Sequence, residues 1–185
     1  MKWKVYSSVF MLLLMSQCKI DRDKGVDRDR FTFRIKADSH LFFKNVRQLY
    51  YDFTDLPAAH LHVYRLSDRY QGDDYPVLQP TLVIDWMKEE AYVLIEGNAI
   101  VNDETAWKIT EQEPGSERSF AYQLQERGSE NMLEFGTKIY EGIMAGNQFF
   151  ITIGNRTVPL LESETDRENF RVVMADYYRL TRVFR

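Results

Sequence analysis

Two runs rich in β-branched and aromatic residues, Phe149 to Ile153 and Thr157 to Leu161, meet at Gly154-Asn155, with a helical pattern on either side. The Gly-Asn pair supplies the positive φ that a tight turn needs, so the stretch predicts a β-hairpin and hence antiparallel pairing. Ahead of it, Met132, Gly136, Ile139, Tyr140, Ile143 and Met144 fall at helical spacing, and Gly146-Asn147 supplies a left-handed stop. After it, Thr165 and Glu168 predict a capping box for a last helix, with Glu164, Asp166 and Glu168 at its start and Arg179, Arg182 and Arg185 at its end. One face of that helix carries Phe170, Val173, Met174, Tyr177, Thr181 and Phe184. Helices mixed with hairpins point to an α+β domain built on a mainly antiparallel sheet.

Upstream the same punctuation continues. Phe31, Phe33 and Ile35 alternate with polar residues as in a half-buried strand, so the domain is expected to span 31–185. Asp38 and Ser39 predict the cap of a helix whose core stripe is Phe42, Val46, Leu49, Tyr50 and Phe53 and which ends before Pro57. Leu61 to Leu66 reads as a short strand and 67–80 as a long loop. Thr81 to Met87 and Ala91 to Ile95 read as strands, with a helix across Lys88-Glu89-Glu90 as the alternative. Trp107 to Thr110 and Phe120 to Leu124 form a hairpin around Glu113-Pro114-Gly115-Ser116. The expected fold is a single α+β domain, a mainly antiparallel sheet of hairpins with about three helices; 185 residues leave room for one core and hardly for two.

The first residues differ in kind. Lys2 and Lys4 precede an apolar run from Val5 to Met15, too short for a bilayer that takes about 20 helical residues, and the only cysteine, Cys18, follows at once. Lys19 to Arg30 is then almost wholly polar and reads, with Cys18, as a solvated tether over 18–30. The arrangement resembles the bacterial lipoprotein signal, with Gln17 standing where that class usually carries Gly, Ala or Ser. The resemblance implies a signal peptide over 1–17, lipidation of Cys18 as the new N-terminus, attachment of the protein to a membrane through that lipid and residence in the bacterial cell envelope. Lys19 in place of Asp implies the outer membrane. Loss of Lys2 and Lys4 would move the net charge from −4 to −6.

Chemistry is sparsely signalled. An acidic chain lacks the basic footprint of a nucleic-acid binder, and a single cysteine excludes an intramolecular disulfide. No nucleophile elbow, phosphate loop or dinucleotide fingerprint is present, and no cofactor is expected. His60 and His62, placed on one face of a strand about 7 Å apart, are the candidate metal pair. They carry the alternative of a metal-dependent hydrolase. The aromatic residues offer recognition instead: Tyr50-Tyr51 and Tyr177-Tyr178 each place one ring inward and one near a border, and Trp86 and Trp107 add to a groove. The sequence therefore points to an envelope lipoprotein whose domain binds a small ligand or an envelope protein without catalysis. A further alternative is an assembly factor for other envelope proteins.

Overall fold

The computed structural model describes residues 25–184 apart from Asp103; the signal segment 1–17 and Cys18 lie outside these residues. The chain is α+β, with two antiparallel sheets of four strands each. Helix α1 (Ala37–Phe42) runs on through a π-helical turn (Phe43–Arg47) and a 3-10 turn (Gln48–Tyr50). The first sheet is a meander in the order β1 (Tyr51–Leu56), β2 (Leu61–Leu66), β3 (Leu78–Asp85) and β4 (Glu90–Gly97). A one-turn helix α2 (Ala99–Asn102) leads to β5 (Trp107–Gln112) and β6 (Ser119–Leu124). Helix α3 (Ser129–Ala145) precedes β7 (Gln148–Ile153) and β8 (Arg156–Leu160), and α4 (Glu164–Thr181) closes the chain. The second sheet has the order β6-β5-β7-β8. Among the described residues no helix is long and apolar enough to cross a membrane.

Helix α3 is the axis on which the sheets are assembled, because apolar or small residues surround it on three sides. Toward the first sheet and α4 it presents Gly136, where a β-carbon would stand 3.1 Å from Met174 Cε and 3.2 Å from Ile95 Cδ1. Toward α4, Thr137 Oγ1 accepts a hydrogen bond from Tyr178 Oη (2.8 Å) and donates one to Leu133 O (2.7 Å). Toward the second sheet, Phe135 meets Trp107 and Tyr122 at ring separations of 6.3 and 5.8 Å. Trp107 is fully inside with its indole N–H given to Val101 O (3.1 Å), as a buried tryptophan requires.

The hairpins form where local turn chemistry places them. Gly154 takes φ 57° between β7 and β8, Gly146 takes φ 78° after α3, and residues 81–95 are a hairpin, not a helix. Other expectations are corrected. Residues 31–36 are extended but join β4 by one bridge, Arg34 to Glu90, and do not form a full strand. Helix α4 starts two residues earlier than the capping box implies, with Ser163 accepting from Thr165 N–H at 3.2 Å. The tether is shorter than expected, since Val26 is buried, bridges Phe184 and leaves Asp27 N–H to Val183 O; one apolar residue suffices to dock that segment. The largest correction is at α1. The stripe Phe42, Val46, Leu49, Tyr50 and Phe53 faces outward, and Phe43 takes the core position. The wider π turn advances the register by a residue, and the chain enters β1 at Tyr51 before the stripe can close on a core.

Candidate functional site

Among the described residues twelve large hydrophobic side chains are exposed, and nine of them lie between Leu41 and Leu56 or at Trp86 and Met87. Their concentration in one helical segment, one edge strand and one turn separates them from the scattered apolar atoms that any surface carries. Leu49 is the most exposed, at 69%, followed by Leu41 and Met87 at 61%. Phe53 and Leu56 belong to β1, an edge strand in which only Tyr51 is buried. Its outer side carries the unpaired N–H and C=O groups that a partner strand can take up. Trp86 joins this edge through ring contacts: 4.9 Å to His60, 6.4 Å to His62, and from His62 5.2 Å to Phe53.

The backbone beneath these side chains is held firmly. The π turn aims Arg47 at Asp176 of α4, whose carboxylate is 2% exposed and accepts from Arg47 Nε (3.0 Å to each oxygen), Tyr51 Oη (2.7 Å) and an Arg179 guanidinium N–H (2.5 Å). Burial, then the Asp176 charge, pushes the Tyr51 phenol well above its usual range, so it remains a donor. Arg47 also stacks over Tyr50 at 4.8 Å and Arg179 over Phe42 at 5.2 Å. A groove of about 600 Å³ runs between these rings and α4. A rigid base under exposed aromatic side chains lowers the ordering cost of association.

The residues singled out in the sequence separate. Tyr50 is 51% exposed and Trp86 43%, whereas Tyr177, Tyr178 and Trp107 are core residues. His60 and His62 do not share a strand face: His60 sits before β2 in the left-handed region (φ 58°), where it ends the Pro57–Ala59 turn, so the alternation breaks between them. His62 lies 3.6 Å from Asp55, and both histidines pack on Trp86. Among the described residues no three His, Cys, Asp or Glu side chains are grouped so as to hold a metal ion. His40 completes the corner; burial first, then the charges of Lys44 and His62, lowers its pKa against the opposing pull of Glu89. Sequence reasoning missed the Asp176 hub because two of its partners, Tyr51 and Arg47, lie 125 and 129 positions away. It missed the outward turn of the α1 stripe because amphipathic spacing does not say which side will be covered. No family model, curated protein or solved structure matches this chain, so the reading of the corner rests on its own geometry.

Proposed function

We propose that this chain is a lipid-anchored protein of the bacterial envelope, attached through Cys18, whose domain binds another envelope protein through the corner made by residues 41–56, Trp86 and Met87. The observation that supports the reading is the gathering there of nine of the twelve large hydrophobic side chains exposed among the described residues, beside an unpaired strand edge. Burying a Leu or Phe side chain contributes about 1.5–3 kcal/mol, so a corner that leaves so many in water has its driving force available for association. The partner contributes an apolar surface over Leu49 and Tyr50 and an extended segment along β1. No catalytic step is assigned, and the hydrolase alternative is not carried forward because its histidine pair is not assembled as a metal site.

Photo-crosslinking residues placed at Leu49, at Met87 and at the exposed Arg156 that opens β8 test this in cells. The expected outcome is one adduct of the same mass from Leu49 and Met87 and none from Arg156. Adducts from all three positions, or from none, would sink the interface. For the anchor, Cys18→Ser is expected to abolish fatty-acid labelling and release the protein from membranes, and membrane retention in that variant rejects it.

A further inference from the structure

Away from the apolar corner, one buried carboxylate lacks a counter-ion. Glu111 of β5 is 8% exposed; it accepts a hydrogen bond from Asn147 Nδ2 at 2.5 Å and otherwise meets only the neutral Tyr122 hydroxyl. Among the described residues no cation forms an ion pair with it. A carboxylate taken out of water is costly unless cations or several donors compensate it.

The surroundings are built around that group. Helix α3 crosses directly above it at Gly142, where a β-carbon would stand 2.4 Å from Glu111 Oε1 and 2.7 Å from Phe149 Cζ, so a side chain there would displace the carboxylate. The helix then ends through Gly146, with Asn147 N–H given to Gly142 O (2.9 Å), and this cap brings the Asn147 amide to Glu111. In the sheet Glu111 pairs with Phe120 on one side and Phe149 on the other. Phe120, half exposed, is the only large hydrophobic residue of this sheet, among those described, that is left in water. Tyr122 lies two residues further along β6, its buried hydroxyl making no hydrogen bond of ordinary geometry. Burial, then the Glu111 charge, pushes that phenol upward, so it stays neutral.

Glu111, Phe120, Tyr122, Gly142 and Asn147 line an open pocket of about 440 Å³. Its rim charges are paired, Lys138 with Glu134 (2.9 Å) and Glu141 with Arg28 (2.6 Å), and the Lys138 ammonium also stands 5.7 Å from the centre of the Tyr122 ring, which shows that this wall accepts a cationic group. What remains is one buried negative charge at the floor with aromatic walls, the chemistry that recognises an organic cation. We propose that this pocket binds an ammonium or guanidinium group, its charge paired with Glu111 and its alkyl part laid against Phe120 and Tyr122. The source is a free small amine or a lysine or arginine side chain of another protein.

Titration of the full chain with n-butylammonium, methylguanidinium and neutral n-butanol, followed by the amide resonances of Phe120 and Gly142, tests the site. Saturable shifts are expected with the two cations and none with butanol. Glu111→Gln keeps the oxygen that Asn147 contacts; it is expected to weaken cation binding at least tenfold while raising the melting midpoint of the empty protein by about 2–4 °C. Phe120→Ala removes an exposed ring, leaves the fold intact and is expected to weaken binding several-fold, which decides the matter if Glu111→Gln does not fold. A blocked lysyl tripeptide that binds tenfold more tightly than butylammonium assigns the cation to a protein side chain; equal or weaker binding assigns it to a free amine. No saturable response to either cation, or undiminished binding in both variants, overturns the proposal.

Discussion

Tyr50-Tyr51 and Tyr177-Tyr178 are the same dipeptide at the ends of two amphipathic patterns, yet Tyr177 and Tyr178 are both fully buried while Tyr50 is half exposed beside a buried Tyr51. The difference lies in what reaches each segment. Helix α4 is covered by β3 and β4, by α3 through the Tyr140–Tyr178 and Thr137–Tyr178 contacts, and by the N-terminal segment, where Tyr177 Oη donates to Thr32 O at 3.2 Å. The α1 segment is covered where Phe43 packs against Tyr51 and Tyr64 at ring separations of 5.6 and 5.1 Å and where Arg47 reaches Asp176 of α4, and its apolar stripe is left outside both contacts. Apolar spacing therefore marks a residue as wanting burial, and the arrangement of other elements decides whether it is granted within the chain or left for a partner.

The contrast can be broken experimentally. Tyr178→Ala removes a ring packed on all sides and the donor to Thr137 Oγ1, so urea unfolding should show a loss of about 4 kcal/mol; a loss below about 1 kcal/mol would mean that α4 is not the enclosed element described here. Asp176→Asn should cost about 3 kcal/mol, the lower end for breaking a buried pair because the Arg47 and Arg179 side chains are each roughly a quarter exposed. If that network is what holds α1 against α4, hydrogen exchange in residues 37–50 should accelerate in the same variant while α3 keeps its protection. Tyr51→Phe deletes one donor to Asp176 and should lose about 1.5–2 kcal/mol by the same denaturation assay.

A smaller effect separates the regions by pH. The pKa of His40 in the folded protein is lowered, first by burial, so folding favours its neutral form. The stability this contributes is present above the ordinary value of 6.5 and is lost as pH falls through 6.5 toward the lower folded pKa. The urea midpoint should therefore decline between about pH 7 and 5, and His40→Gln should flatten that slope. A wild-type slope that persists unchanged in the variant assigns the effect elsewhere. The smallest change is expected at the surface itself: Tyr50→Ala and Leu49→Asp should each alter stability by less than about 0.5 kcal/mol while abolishing the crosslink from Met87. A large stability loss in either would place those side chains in the core after all.

Much of the fold was legible because its signals are local. Gly154-Asn155 defines the β7–β8 turn, Gly115 turns the β5–β6 hairpin with φ 71°, and Gly146 stops α3. The β2 boundaries, Leu61 and Leu66, coincide with the expected strand. The start of α4 was read two residues too late because Ser163 and Thr165 are both competent caps, and the choice depends on where β8 releases the chain. The candidate surface was legible only in part. Tyr50 and Trp86 were marked as recognition residues, but Leu41, Leu56 and Met87 carry no local signal, and the π turn that rotates the α1 stripe outward follows from docking Arg47 on Asp176.

The amino-acid sequence by itself determined the elements and their antiparallel sense, since turn residues, caps and periodicity act over a few positions. It also carried the resemblance at Cys18 on which the envelope reading depends. Only the tertiary structure decided which apolar stripe is covered, that His60 and His62 part across a left-handed turn, and that Glu111 lies beneath Gly142 beside the Asn147 amide and the Tyr122 phenol. Burial is a property of surfaces meeting across more than a hundred positions of chain, and no local pattern encodes which surface arrives.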